Sequence, residues 1–84
     1  MGKFEKVLQR VLRGESDANI PFGDLCHLLK RLGFKEHITG SHHNFRMDGV
    51  REILTLQPLG NKAKQYQVRQ VREIILEYDL GGEN

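Results

Sequence analysis

The feature that most restricts this chain is a change of hydrophobic period at Phe34. Before it, Phe4, Val7, Leu8, Val11 and Leu12, then Phe22, Leu25, Cys26, Leu29 and Leu32, recur at helical spacing. After it the period falls to two, and turn signals at Gly40-Ser41 and Met47-Asp48-Gly49 divide the stretch into three short strands, 34–39, 42–46 and 50–57. Helical spacing returns with Val68, Val71, Ile74, Ile75 and Tyr78, and Gly81-Gly82 is expected to end that helix. Helices are expected over 3–12, closed by Gly14, and over 21–32, with Pro21 in the first turn and Gly33 as the stop. The expected order is α-α-β-β-β-α. Three antiparallel strands with short connections let the helices cover one sheet face only, so an α+β sandwich with one solvated face follows.

With 84 residues the chain is expected to form one domain over 1–84, since a second core would leave each half too little surface to bury. The formal charge is only +2, but it is unevenly spread. Residues 1–29 balance four basic against four acidic side chains, residues 30–72 hold nine against three, and residues 73–84 hold four acids and no base. A basic centre is thus followed by an acidic tail. Cys26 stands alone, and its place on the apolar stripe of the second helix makes it a core residue. The longest apolar run is Ile74–Leu76, and the chain starts without an apolar leader, so a cytoplasmic protein with no membrane partner is expected.

The segment Gly40-Ser41-His42-His43-Asn44-Phe45-Arg46 carries the chemistry. Side chains alternate along a strand, so His43 and Phe45 share one face while His42, Asn44 and Arg46 share the other. If Phe45 is core, His42 faces solvent beside Asn44 and Arg46, where imidazole can move protons and guanidinium can stabilise charge on a phosphate. The same spacing also suits an ordinary surface histidine next to a turn. Adjacent histidines point apart and cannot readily share a metal, and His27 and His37 lack partners at ligand spacing, so neither metal nor other cofactor is expected. Lys62 and Lys64, before a helix start near Tyr66, suit phosphate, although a solvated basic loop has the same composition. Arg69 and Arg72 also fit a bland role decorating the outer face of the last helix, and Arg51 extends the basic surface if its strand lies beside that of Arg46.

Three segments together resemble the HicA toxin family: Asp24-Leu-Cys-His-Leu-Leu-Lys-Arg-Leu-Gly-Phe34, Gly40-Ser-His-His-Asn-Phe-Arg46 and Tyr66-Gln-Val-Arg-Gln-Val-Arg72. The likeness spans about residues 20–80. It implies a fold similar to the double-stranded RNA-binding domain and an mRNA-cleaving toxin silenced by a HicB-type antitoxin. It further implies that the histidine after Gly-Ser, His42, is catalytic, with His43 as the alternative and Ser41 as a polar neighbour. On that basis His42 activates the ribose 2′-OH without a metal, Asn44 and Arg46 steady the phosphate, and Lys62, Lys64 and Arg69 grip the RNA backbone. A non-catalytic RNA-binding or protein-interaction module of the same fold is the alternative. Two departures stand out: the added helix 3–12, and Leu56-Gln57-Pro58-Leu59 where many members have a Val-Pro-Arg-His type of run.

Overall fold

The change of period at Phe34 is a change of layer. A computed structural model describes residues 2–81, with α1 at Lys3–Arg13, a single 3₁₀ turn at Asp17–Asn19 and α2 at Phe22–Leu32. The strands β1 (Lys35–Thr39), β2 (His42–Arg46) and β3 (Leu54–Leu56) follow, then a small hairpin of β4 (Pro58–Leu59) and β5 (Lys62–Ala63), and finally α3 (Gln65–Glu77). The expected α+β order holds. The sheet is antiparallel in the order β1-β2-β3, and Phe45 pairs with Glu36 on one side and Leu54 on the other. Period two then sends Phe45, Leu54 and Leu56 into the core with Val7, Leu8 and Val11 of α1, Leu25, Leu28 and Leu29 of α2, and Val68, Val71 and Ile75 of α3. The helices cover that face alone, and no helix among the described residues is long and apolar enough to cross a membrane.

Gly33 ends α2 at φ 114, a left-handed conformation that costs glycine little, and the Phe34 N–H then donates to the Leu29 carbonyl. That bond makes Phe34 a buried helix-end residue and not the first residue of β1. Pro21 lies just outside α2 as its cap and bridges to Lys62, so the helix begins one residue later than expected.

Three further expectations are corrected. The third strand was expected over 50–57 but pairs only over Leu54–Leu56, because residues 51–52 are engaged elsewhere: the Arg51 N–H donates to the Tyr78 hydroxyl, which donates to Glu52 at 2.7 Å. The segment 62–65, expected from its composition to be a basic loop leading into the last helix, is not simply a loop. Lys62–Ala63 returns along Pro58–Leu59 through a Gly60-Asn61 turn, a pairing that proline tolerates at a sheet edge. Finally, α3 stops at Glu77, four residues before Gly81, because Asp79 adopts φ 54 and the Leu80 N–H turns back to the Ile75 carbonyl. Gly82 lies outside the described residues.

Arg72, expected on an outer face, instead ties three elements together. Its guanidinium donates to both carboxylate oxygens of Asp17, at 3.0 and 3.1 Å, and to the Val11 carbonyl at 3.0 Å. The pair is largely buried, with 18% and 13% of its side-chain surfaces exposed. Asp17→Ala would leave the guanidinium without its counter-charge, at a cost of about 2 kcal/mol. Thermal denaturation should show the melting point of this variant lowered by about 10 °C.

Candidate functional site

A two-residue connection, Gly40-Ser41, joins β1 to β2, with Gly40 at φ 61 in the position that L side chains rarely accept. The turn puts His42 first on β2, opposite Thr39 and on the uncovered face, where it is exposed. Asn44 follows on the same face. Its amide is fixed from both sides, since Thr55 Oγ1 donates to Asn44 Oδ1 at 2.8 Å and Asn44 Nδ2 donates to the His37 carbonyl at 3.2 Å. His37, Asn44, Arg46, Ile53 and Thr55 line a shallow open depression there.

Arg46 stands at the far end of β2, directly opposite Lys35. Like charges facing each other across strands repel, so the pair favours a counter-charge, and Asp48 lines the same depression. Arg46 lies four positions along the strand from His42, which at roughly 3.3 Å per step is about 13 Å. Arg46 and His42 thus stand at opposite ends of the uncovered face of β2.

Closer to His42 the polar groups converge from another direction. Gln57 Nε2 donates to Ser41 Oγ at 2.9 Å, and Lys64 Nζ donates to Gln57 Oε1 at 3.4 Å. The Gln57 backbone N–H donates to Gln67 Oε1 at 3.2 Å, and Gln67 Nε2 reaches the Thr55 carbonyl and the Tyr66 hydroxyl, both at 3.4 Å. Gln57 thus fastens the turn before His42 to the N-terminus of α3, where Lys64 is the cap and the first N–H groups carry partial positive charge. Ser41, the neighbour of His42, and Lys64 are thus joined through Gln57. Lys62 diverges, its ammonium bonded to Asn19 Oδ1 at 3.1 Å, and Arg69 lies exposed one turn into α3.

Gln57 and Gln67 were not among the expected site residues. Gln67 is the single buried polar residue among those described, 3% exposed. A glutamine at a helix position spaced by four and seven from Val71 and Ile74 was the available signal.

His43 takes the opposite face, as expected from parity. Its Nδ1 lies 2.7 Å from Glu36 Oε2, its ring meets Phe22 edge-on at 4.8 Å, and Lys30 reaches the other Glu36 oxygen at 3.2 Å. These bonds, led by that from His43, hold the Glu36 carboxyl below its ordinary range. Cys26 is buried as expected, and loss of solvent pushes its thiol up to about 11. Cys26, Glu36 and His43 place possible ligand atoms within 4.8 Å of one another, a grouping that sequence spacing did not reveal. The Lys30 ammonium already supplies Glu36 with a positive charge, and a protonated buried thiol is a poor ligand, so the set fits a structural cluster better than a metal centre.

The Glu36 shift has a measurable sign. With its folded value lowered, the native state holds fewer protons than the unfolded chain near pH 4, so stability is complete above the ordinary carboxylate value and drains away as pH falls through the lowered one. Urea titrations from pH 6 down to about 2.5 should show a weaker loss for Glu36→Gln than for the parent.

A scan against family models matches residues 22–76 to the HicA toxin of bacterial toxin–antitoxin systems, well over half of the chain. No curated protein and no solved structure matches the chain. The matched span runs from the first residue of α2 to near the end of α3, so it takes in the sheet, the Ser41-His42 turn and Lys64 while leaving α1 outside. The α+β layers with one bare sheet face, and a family match across every element that builds that face, place this chain in the HicA toxin family.

Proposed function

We propose that this toxin is an endoribonuclease that cuts mRNA by metal-independent acid–base chemistry centred on His42, and that a HicB-type antitoxin silences it by covering that face. The observation that carries the reading is the exposed His42 beside a serine that Gln57 ties to Lys64 and the N-terminus of α3. Neutral imidazole accepts the proton of a ribose 2′-OH, and the freed oxygen attacks the adjoining phosphorus. The 5′ oxygen leaves as that bond forms, taking a proton from the imidazolium directly or through water, so the products are a cyclic 2′,3′-phosphate and a 5′-hydroxyl end. Lys64 and the α3 N–H groups stand where negative charge on the phosphate would be stabilised, and Asn44 has a remaining amide N–H for the next sugar or phosphate. Lys62, Arg46 and Arg69 hold the backbone farther out.

His43 is the second candidate base because Glu36, at 2.7 Å, orients its ring as carboxylates orient catalytic imidazoles. It lies on the helix-covered face, however, where Phe22 packs against it.

Purified protein should cut RNA in excess EDTA, leave an all-deoxy strand of the same sequence intact and produce cyclic phosphate ends. Binding without cleavage would replace this assignment by the non-catalytic module. In a complex with the antitoxin, amide exchange should slow across residues 42–46 and the start of α3. Protection confined to α1 would refute occlusion of the His42 face.

A further inference from the structure

Helix α1 lies outside the family match, and its buried face accounts for only half of its sequence. Val7, Leu8 and Val11 pack on the core, while Lys6, Arg10 and Arg13, spaced by four and three, form an exposed stripe that with Gln9 lines an open depression. Helix stabilisation explains part of this, because Arg10 and Arg13 sit in the last turn where the dipole favours cations. It does not explain Lys6 in the first half of the helix, nor what lies next to the stripe.

Arg10 Nη2 donates to the Asn19 carbonyl at 3.1 Å, and Lys62 Nζ donates to Asn19 Oδ1 at 3.1 Å, so one residue of the 3₁₀ turn joins the α1 stripe to β5. Two residues beyond Lys62, Lys64 bonds Gln57, which bonds Ser41 beside His42. The nearest acid of that turn, Asp17, has both oxygens turned away to Arg72 and cannot neutralise the stripe. A line of cations therefore runs from α1 across Asn19 to the turn that carries His42.

We infer that this line is a second RNA-binding track, on which Lys6, Arg10 and Arg13 hold phosphates of a single strand whose other part lies at His42. The inference rests on the RNA-cleaving reading and extends it: the substrate is a single-stranded RNA long enough to reach α1, gripped by its phosphates without regard to sequence. Phosphate contacts position a strand and carry no base specificity, which suits an enzyme that must engage many messages.

The test uses 2′-O-methyl RNA, which lacks the attacking hydroxyl, so binding is read apart from cleavage. Affinities of the parent and of a Lys6→Ala/Arg10→Ala/Arg13→Ala variant are measured against salt, for oligomers of about 16 and about 4 nucleotides. All three positions are exposed and alanine favours helix, so circular dichroism should show an unchanged fold. The parent should bind the longer oligomer more tightly. The variant should lose that advantage, and its slope of log affinity against log salt should fall by about 2, the value for three lost single-strand phosphate contacts. An unchanged slope with RNA bound as before overturns the track. So does an unchanged RNA slope with weakened binding of polyglutamate, which would assign the stripe to an acidic protein. If the parent binds no RNA of either length, the RNA-cleaving reading itself fails and the track with it.

Discussion

His42→Ala should slow RNA cleavage by about 10² to 10⁴-fold while the protein melts at the parent temperature. That loss corresponds to about 3 to 5 kcal/mol of transition-state stabilisation, as expected when one proton-transferring group is removed. The fold should be unaffected because His42 is exposed at the start of β2 and its neighbours are held by other bonds: Ser41 by Gln57, Asn44 by Thr55. Single-turnover kinetics on one labelled RNA, with a melt of the same sample, separate the two effects. His43→Ala is the informative comparison. It deprives Glu36 of its 2.7 Å partner and opens space beside Phe22, so it should lower the melting point whether or not it lowers the rate. A folded His42→Ala protein that cuts at the parent rate, beside an inactive but folded His43→Ala protein, would transfer the catalytic role to His43.

The largest loss of stability should come from Phe45→Ala. Phe45 is wholly buried and heads the largest enclosed side chains, sitting between Glu36 and Leu54 in the middle strand with all three helices above. Emptying that position costs about 3 to 5 kcal/mol, out of a total of about 5 to 15 for domains generally. A chain of this size belongs near the lower end, so much of the population should be unfolded at 37 °C, with a flattened thermal transition and lost near-ultraviolet dichroism. Phe45→Leu keeps most of the volume and should retain a cooperative transition at a lower temperature. Activity lost together with the transition in Phe45→Ala, against activity lost alone in His42→Ala, would place the two residues in different roles though they are three apart on one strand.

The layers were legible because they depend on period, and the period breaks at Phe34 and resumes at Val68. Parity alone sorted His42 and Asn44 from His43 and Phe45, and the register bears it out. What escaped were the partners made at a distance. Arg72 looks like a surface residue by helix spacing until Asp17, 55 positions earlier, folds back against it. Lys62 and Lys64 look like one basic cluster, but Asn19 draws one ammonium and Gln57 the other. Gln57 reads as a polar residue before a proline, and its value as a strut shows only once Ser41 and Gln67 lie on either side of it. The third strand was read too long because alternation cannot show that Tyr78 claims residues 51 and 52. Local pattern gives the face a residue occupies. Only the closed fold gives its partner.

The packing of α1 on both α2 and α3 bears on how the protein is made. A ribosome delivers Val11 early, yet the guanidinium that bonds its carbonyl belongs to Arg72, 61 residues later. At roughly 5 to 20 residues per second, that interval lasts about 3 to 12 seconds. During it the β1–β2 hairpin, with its two-residue turn, has had ample time to form, since hairpins close in about 1 to 10 μs. The hairpin alone lacks Lys64 and the N-terminus of α3, so a nascent chain can present His42 before it has the groups proposed to stabilise the reacting phosphate. The emergence of α3 seals the interior and, on the proposed reading, would also complete the site, so that activity would begin only when the fold is whole.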